Sequence, residues 1–195
     1  MKPLLILILS LSLSVAAFGQ QDSLGFTNRA EAKNAIKNGM KVGKWIEYLD
    51  KLGNATTDDN PPLYCLVVYK AGLPYGIVRT YFRSGKLQEE VSYTNGKTNG
   101  IDKVYYESGV LKNEWIYTYG KLNGMCKWYY ESGKLQWEIP YKNDKKDGME
   151  KEYYESGAVK EELPYSSGKK NGVEKDYSEK GILLKDIPFT NDSMS

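Results

Sequence analysis

The chain has no histidine and only two cysteines among its 195 residues. The first absence excludes imidazole catalysis and any metal site with a histidine ligand. The second excludes a tetrathiolate zinc centre and a cysteine-dense scaffold. An excess of charge of one sign is missing too. Lys plus Arg is 27 and Asp plus Glu is 25, a net of +2, too even for nucleic-acid binding by bulk charge. Phenylalanine is scarce at 4, whereas tyrosine reaches 17 and glycine 19. That composition favours short strands and turns over helix.

Apolar runs are scarce outside the N-terminus. Residues 1–19 read as a signal peptide: Lys2 gives a small positive start, Leu4–Val15 is nearly unbroken Leu, Ile and Ser, and Ala17-Phe18-Gly19 offers small residues for cleavage before Gln20. The run is too short to span a bilayer as a free helix. The chain from Gln20 is therefore expected in the periplasm, secreted or on the cell surface, with no transmembrane anchor after cleavage.

What is abundant is repetition. Frames of 24 residues start at Gly76, Gly100, Gly124, Gly148 and Gly172. The sixth position is always Tyr, from Tyr81 to Tyr177, and the tenth always Gly, from Gly85 to Gly181. The twelfth is Leu or Val, the fourth basic (Arg79 to Lys175), the fifteenth acidic (Glu90 to Asp186) and the eighteenth Tyr or Phe. An earlier unit, Gly43–Tyr75, keeps the register with extra residues assigned to Gly53–Pro62. The repeat domain is thus 43–195, in units 43–75, 76–99, 100–123, 124–147, 148–171 and 172–195. Residues 20–42 form a lead-in, with Arg29–Lys37 read as a short helix or as irregular.

Each unit fits two strands and two turns, so the expected fold is all-β: an elongated, single-layer antiparallel meander of about six hairpins, open at its ends. A three-residue loop closed by Gly matches a type I turn followed by a left-handed residue. Carried straight along both strands, that loop pairs the sixth position with the twelfth and the fourth with the fourteenth: Arg79 with Glu89, Lys103 with Asn113, Lys127 with Trp137 (a cation–π contact), Lys151 with Glu161, Lys175 with Lys185. One face then collects Ile101, Tyr105, Leu111, Trp115 and Tyr117, and a thin row of Tyr, Leu and Ile is the expected core. The other face holds Asp102, Val104, Tyr106, Lys112 and Glu114. The second turn is expected over Tyr119–Asn123. Pro140, Pro164 and Pro188, which cannot donate to a ladder, must end the pairing of their strands or turn that nitrogen outward.

The strings YYESGVLKNEWIYTYGKLNG and YYESGKLQWEIPYKNDKKDG resemble the variant form of the MORN repeat, across about Gly43–Ser195. The resemblance implies a repeat module without catalytic activity. Many bacterial chains of this kind carry an antitoxin label, so neutralisation of a partner toxin is one alternative to a general interaction or structural role; a cell-wall or membrane-surface module is another.

No catalytic, cofactor-binding or metal-ligating residue emerges. Glu90, Glu114, Glu138 and Glu162 are one repeat apart and form a ladder, not a close carboxylate pair. The turn serines have no base to activate them. Cys65 and Cys126 lie three hairpins apart, roughly 29 Å at the spacing of strands, and are expected on opposite faces as free thiols. Tyr106, Tyr130 and Tyr154, with Trp128 beside them, form an aromatic column proposed as a partner-binding face. The expected partner is a protein, with a glycan or lipid as alternatives; no nucleic acid and no cofactor is expected.

Overall fold

A computed structural model describes residues 24–194; residues 1–19, read from the sequence as a signal peptide, lie outside them. One sheet contains seventeen strands, and every pairing is antiparallel, between strands that are consecutive or one apart in sequence. It opens with β1 (Ala35–Lys37) and β2 (Met40–Leu49), followed by β3 (Leu63–Lys70), β4 (Leu73–Phe82), β5 (Leu87–Thr94), β6 (Lys97–Tyr105) and β7 (Leu111–Thr118). The later units split their first strand in two: β8 (Lys121–Leu122) with β9 (Gly124–Tyr129), β11 (Lys145–Lys146) with β12 (Gly148–Tyr153), and β14 (Lys169–Lys170) with β15 (Gly172–Tyr177). Between them run β10 (Leu135–Lys142), β13 (Val159–Ser166) and β16 (Leu183–Thr190), and β17 (Ser193–Met194) closes the chain. The all-β, open, single-sheet meander of hairpin repeats is therefore what forms.

Two kinds of turn alternate. At Glu107-Ser108-Gly109 the Gly109 N–H donates to the Tyr106 carbonyl (2.8 Å) and the Tyr106 N–H to the Val110 carbonyl (2.9 Å), with Gly109 at φ 93°. This is the three-residue loop read from the sequence. The other turn is shorter than the expected five residues. Tyr119 and Gly120 alone have positive φ, 48° and 86°, and Thr118 already pairs with Lys121. Asn95-Gly96 and Ser167-Gly168 repeat this two-residue geometry, which suits the twist of a hairpin. Asn38-Gly39 does the same and turns Ala35–Lys37 into a strand paired with β2. The helix considered for Arg29–Lys37 shrinks to a 3-10 turn at Arg29–Glu31, capped by the Asn28 side chain.

The register departs from the expectation by one residue. Tyr81 pairs with Leu87, but Thr80 pairs with Glu89, leaving Gln88 as a bulge. Lys112, Gln136, Lys160 and Leu184 bulge at the same position. Beyond the bulge every pair slips by one, which exchanges the faces of the second strand. The fourth position therefore meets the fifteenth: Arg79–Glu90, Lys103–Glu114, Lys127–Glu138, Lys151–Glu162 and Lys175–Asp186. The Lys127–Trp137 contact and the Lys175–Lys185 clash expected from a straight register do not arise. These residues continue across the intervening pairs. Face B of the sheet thus carries an alternating ladder of base and acid from Arg79 to Asp186. Arg79 binds Glu90 at 2.7 Å and Lys151 binds Glu162 at 3.1 Å.

A second irregularity follows each two-residue turn. Between the pairs Tyr141–Lys146 and Glu138–Lys151, two residues of β10 face four of the following strand. Here Pro140 accepts from the Asp147 N–H (2.9 Å), so its missing donor faces bulged backbone that needs none. Gly148, at φ 125°, lies so close that an added Cβ would stand 2.8 Å from Pro140 Cγ. Gly172 meets Pro164 the same way at 2.7 Å. The glycine that opens each of these frames is set by this contact and by its backbone angle.

Face A holds the third, fifth, fourteenth, sixteenth and eighteenth positions. Its buried row is Cys65, Val67, Val78, Val91, Cys126, Ile139 and Leu163, third-, fourteenth- and sixteenth-position residues in place of the expected Tyr–Leu row; a second, smaller buried cluster of Phe26, Leu66 and Val68 lies on face B. All substantial contacts run between sheet neighbours. Cys126 nonetheless has no exposed surface, which in a single layer requires that residues on its own face lean over it. Cys65 and Cys126 sit on the same face, contrary to expectation, because in the unbulged first unit the long β2–β3 loop sets the same pairing of fifth with fourteenth position, Glu47 with Cys65, that the bulge sets in the later units. Both are free and buried.

Candidate interaction face

The slip in register gathers three tryptophans on face A. Trp115 is a sixteenth-position residue, Trp128 a fifth and Trp137 a fourteenth. Trp128 pairs directly with Asn113 on one side and with Trp137 on the other. Trp115 and Trp128 meet edge to face with ring centres 6.2 Å apart, a favoured aromatic geometry. Asn113 is buried; in the amide orientation that satisfies both neighbours it accepts from Trp128 Nε1 at 3.2 Å and donates to the Lys112 carbonyl at 2.8 Å. All three indoles are half-buried: held in place, with part of each ring in solvent.

The tyrosine column named from the sequence does a different job at its polar end. The Tyr106 hydroxyl donates to the Tyr129 carbonyl at 2.8 Å, Tyr130 to Tyr153 at 2.7 Å and Tyr154 to Tyr177 at 2.8 Å. Each phenol thus ties its own unit to the next. Their rings remain half-buried, and Lys112 and Lys160 ammonium groups lie 5.4 Å and 6.0 Å from the Tyr106 and Tyr154 ring centres. Tyr130 lies just past the end of β9, two residues after Trp128, so the column borders the indole cluster. Trp115 and Trp137 were missed because the straight register put Trp115 with Tyr105 and opposed Trp137 to Lys127. Tryptophans at three positions of two adjoining units were the available signal.

Asp102 lies beside this cluster, directly opposite Trp115. It is 5% exposed, and its Oδ1 accepts no hydrogen bond. Burial, then the charge of Glu89, pushes its carboxyl up to about 7. Glu89 is itself raised by burial.

Other features carry less chemistry. Burial pushes the Cys65 thiol up to about 12, leaving no thiolate for nucleophilic work. Glu161, Glu174 and Asp176 approach one another, but Lys170 and Lys185 pair with Glu174, and Lys185 also reaches Asp176. A shallow polar cleft of about 630 Å³ beside the long β2–β3 loop is lined by Asp50, Asp58, Arg83 and Glu107 among others. Among the described residues no helix is long and apolar enough to cross a membrane.

The MORN repeat variant family matches residues 74–95, 122–143 and 146–167. All three matches begin at the same point of the period, two residues before the frame glycine. No curated protein matches the chain.

Proposed function

We propose that this chain, which carries MORN-variant repeats, is a non-catalytic module exported from the cytoplasm that binds a protein partner through the indole cluster of face A. MORN repeats are generally modules that bind proteins or membrane lipids, and typically have no catalytic role. The observation that carries the choice of face is the Trp115–Trp128 contact with Trp137 paired beside it. Rigid, half-exposed indoles are the groups from which binding hot spots are made. Face B offers little by comparison, since alternating charges already neutralise one another across its strands. That balance also argues against a membrane surface, which favours a basic patch. Export is supported by the sequence of residues 1–19.

The test is an affinity capture from the envelope fraction with the chain from Gln20, run beside Trp128→Ala and Trp137→Ala variants whose far-ultraviolet circular dichroism matches the parent. One stoichiometric protein retained by the parent and lost from both variants supports the reading. Equal retention by parent and variants sinks it. Retention of anionic vesicles in place of a protein would move the assignment to a membrane surface. Mass analysis of the full chain after expression tests export, which requires loss of residues 1–19.

A further inference from the structure

At each junction between units the chain crosses the second irregularity and brings two residues four apart onto face A, beside the eighteenth-position aromatic. In three junctions an ammonium fills the slot between them. Lys41 lies 4.9 Å from the Trp45 ring centre and 5.1 Å from that of Tyr69. Lys146 pairs with Glu150 and lies 4.8 Å from the Tyr165 ring centre. Lys170 pairs with Glu174 at 2.8 Å and lies 4.8 Å from the Phe189 ring centre. Two junctions are apolar instead, Pro74 with Val78 and Leu122 with Cys126. Either solution is self-consistent.

The remaining junction is neither. Thr98 stands where Lys146 and Lys170 stand, Asp102 where their glutamates stand, and Tyr117 supplies the aromatic. Thr98 ends at its γ atoms, three atoms short of where a lysine carries its ammonium. Asp102 is buried with Oδ1 unpartnered, and Glu89 adds a second negative charge nearby. A buried carboxylate without a counter-charge is costly, and a cation supplied from outside would remove that cost. We propose that the slot bounded by Thr98, Asp102 and Tyr117 binds a primary ammonium group from outside the chain, either a lysine side chain of a protein partner or a free alkylamine. Recognition copies the two junctions in which a lysine meets a glutamate: a charge-assisted hydrogen bond to the carboxylate and a cation–π contact with the ring. Because Asp102 faces Trp115, the slot lies at the margin of the indole cluster. As a contact for a protein partner, the inference rests on the reading of that face.

The experiment titrates the full chain with Nα-acetyl-lysine methylamide and, separately, with butylammonium, following the nuclear magnetic resonance signals of Trp115 and Tyr117. Saturable shifts are expected with the parent. Asp102→Asn should weaken binding about tenfold or more. Thr98→Lys should abolish the shifts and raise the melting temperature, because the chain then fills its own slot. Lys146→Thr should open a second site, with shifts at Tyr165. Equal responses to both probes identify a free amine as sufficient; a response to the lysine amide alone identifies a protein's lysine. Absence of saturable shifts in the parent overturns the proposal, as does binding that survives Thr98→Lys. If amine binding holds while the tryptophan variants keep their partner, the reading of the indole cluster fails and the ammonium slot stands. The opposite pair of results removes the slot alone.

Discussion

Strands β2 and β3 carry Ile46 and Leu66 at the face-B positions where β12 and β13 carry Lys151 and Glu162. The backbone register is the same; the cover is not. Over β2 to β4, residues 24–32 lie across face B. Phe26, Leu66 and Val68 form a buried cluster with Ile46, Tyr64 and Tyr81 around it. Arg79 donates to the Leu24 carbonyl at 2.9 Å, and Arg29 sits 4.9 Å from the centre of the Tyr64 ring, which is itself stacked on Tyr81. The long β2–β3 loop approaches the other side, where Lys51 and Leu52 border Thr80 and Glu89. Over β12 to β16 no described segment covers either face, and Leu183, Leu184 and Met194 are exposed. Under residues 24–32 the ladder position of β2 and β3 takes an apolar pair, on β4 at the edge of that cover Arg79 keeps Glu90 and reaches the Leu24 carbonyl, and beyond it ion pairs face water. The opposite choices would bury charge at a cost or leave a sticky face in solvent.

This contrast is open to attack at several points. The largest effect is expected at Leu66, which has no exposed surface. Leu66→Ala should cost about 2–5 kcal/mol in urea unfolding. Leu184→Ala, at 66% exposure, should change stability by no more than about 0.5 kcal/mol. Similar losses at both sites would erase the distinction between covered and open regions.

Two buried acids should give opposite pH responses. Asp102 is raised to about 7 from a usual 3.8, so the folded state binds its proton more tightly than the unfolded chain does. Its contribution is present below the unfolded value and lost as pH rises through the folded one. Glu174 is lowered, first by the hydrogen bond from Lys170 and then by that from Lys185. Its contribution is present above 4.5 and lost as pH falls through its depressed folded value. Asp102→Asn should flatten the decline in melting temperature between about pH 4 and pH 7, while Glu174→Gln should flatten the acid limb below about pH 4.5. A decline unchanged in the Asp102 variant would show that its charge is satisfied some other way.

Backbone strain sharpens the comparison within one unit. Gly148→Ala meets both a φ of 125° and Pro140, and should cost about 1–3 kcal/mol. Gly157→Ala, at φ 93° with nothing within 4 Å, should cost less, and reversal of that order would deny the role given to Pro140. Removing the hydroxyl that ties one unit to the next in Tyr130→Phe should cost about 0.5–1.5 kcal/mol, measured by chemical denaturation. The part-exposed ladder should matter little as well. Lys151→Gln should cost no more than about 1 kcal/mol, and the difference from the parent should shrink in high salt.

Much of this architecture is legible in the residues. Glu107-Ser108-Gly109 marks the three-residue loop and the period places every turn, but the second turn, expected over five residues from Tyr119 to Asn123, takes only two. The candidate face was only half legible. Tyr106, Tyr130, Tyr154 and Trp128 were identified, but not the hydroxyl bonds that occupy the tyrosines, nor Trp115, Trp137 and Asp102. The bulge responsible falls on Gln88, Lys112, Gln136, Lys160 and Leu184, residues with no shared turn chemistry. Local composition therefore does not mark it.

The sequence by itself determined the period, the turns, the alternation of fourth-position bases with fifteenth-position acids, and the glycines at positive φ. These follow from rules within one strand or one turn. Tertiary structure decided which face each second strand presents, that base and acid stand opposite each other, that residues 24–32 cover only the first strands, and that Asp102 alone among the junction acids lacks a lysine beside it. Those outcomes depend on pairing between strands, where one extra residue turns every later side chain to the other side.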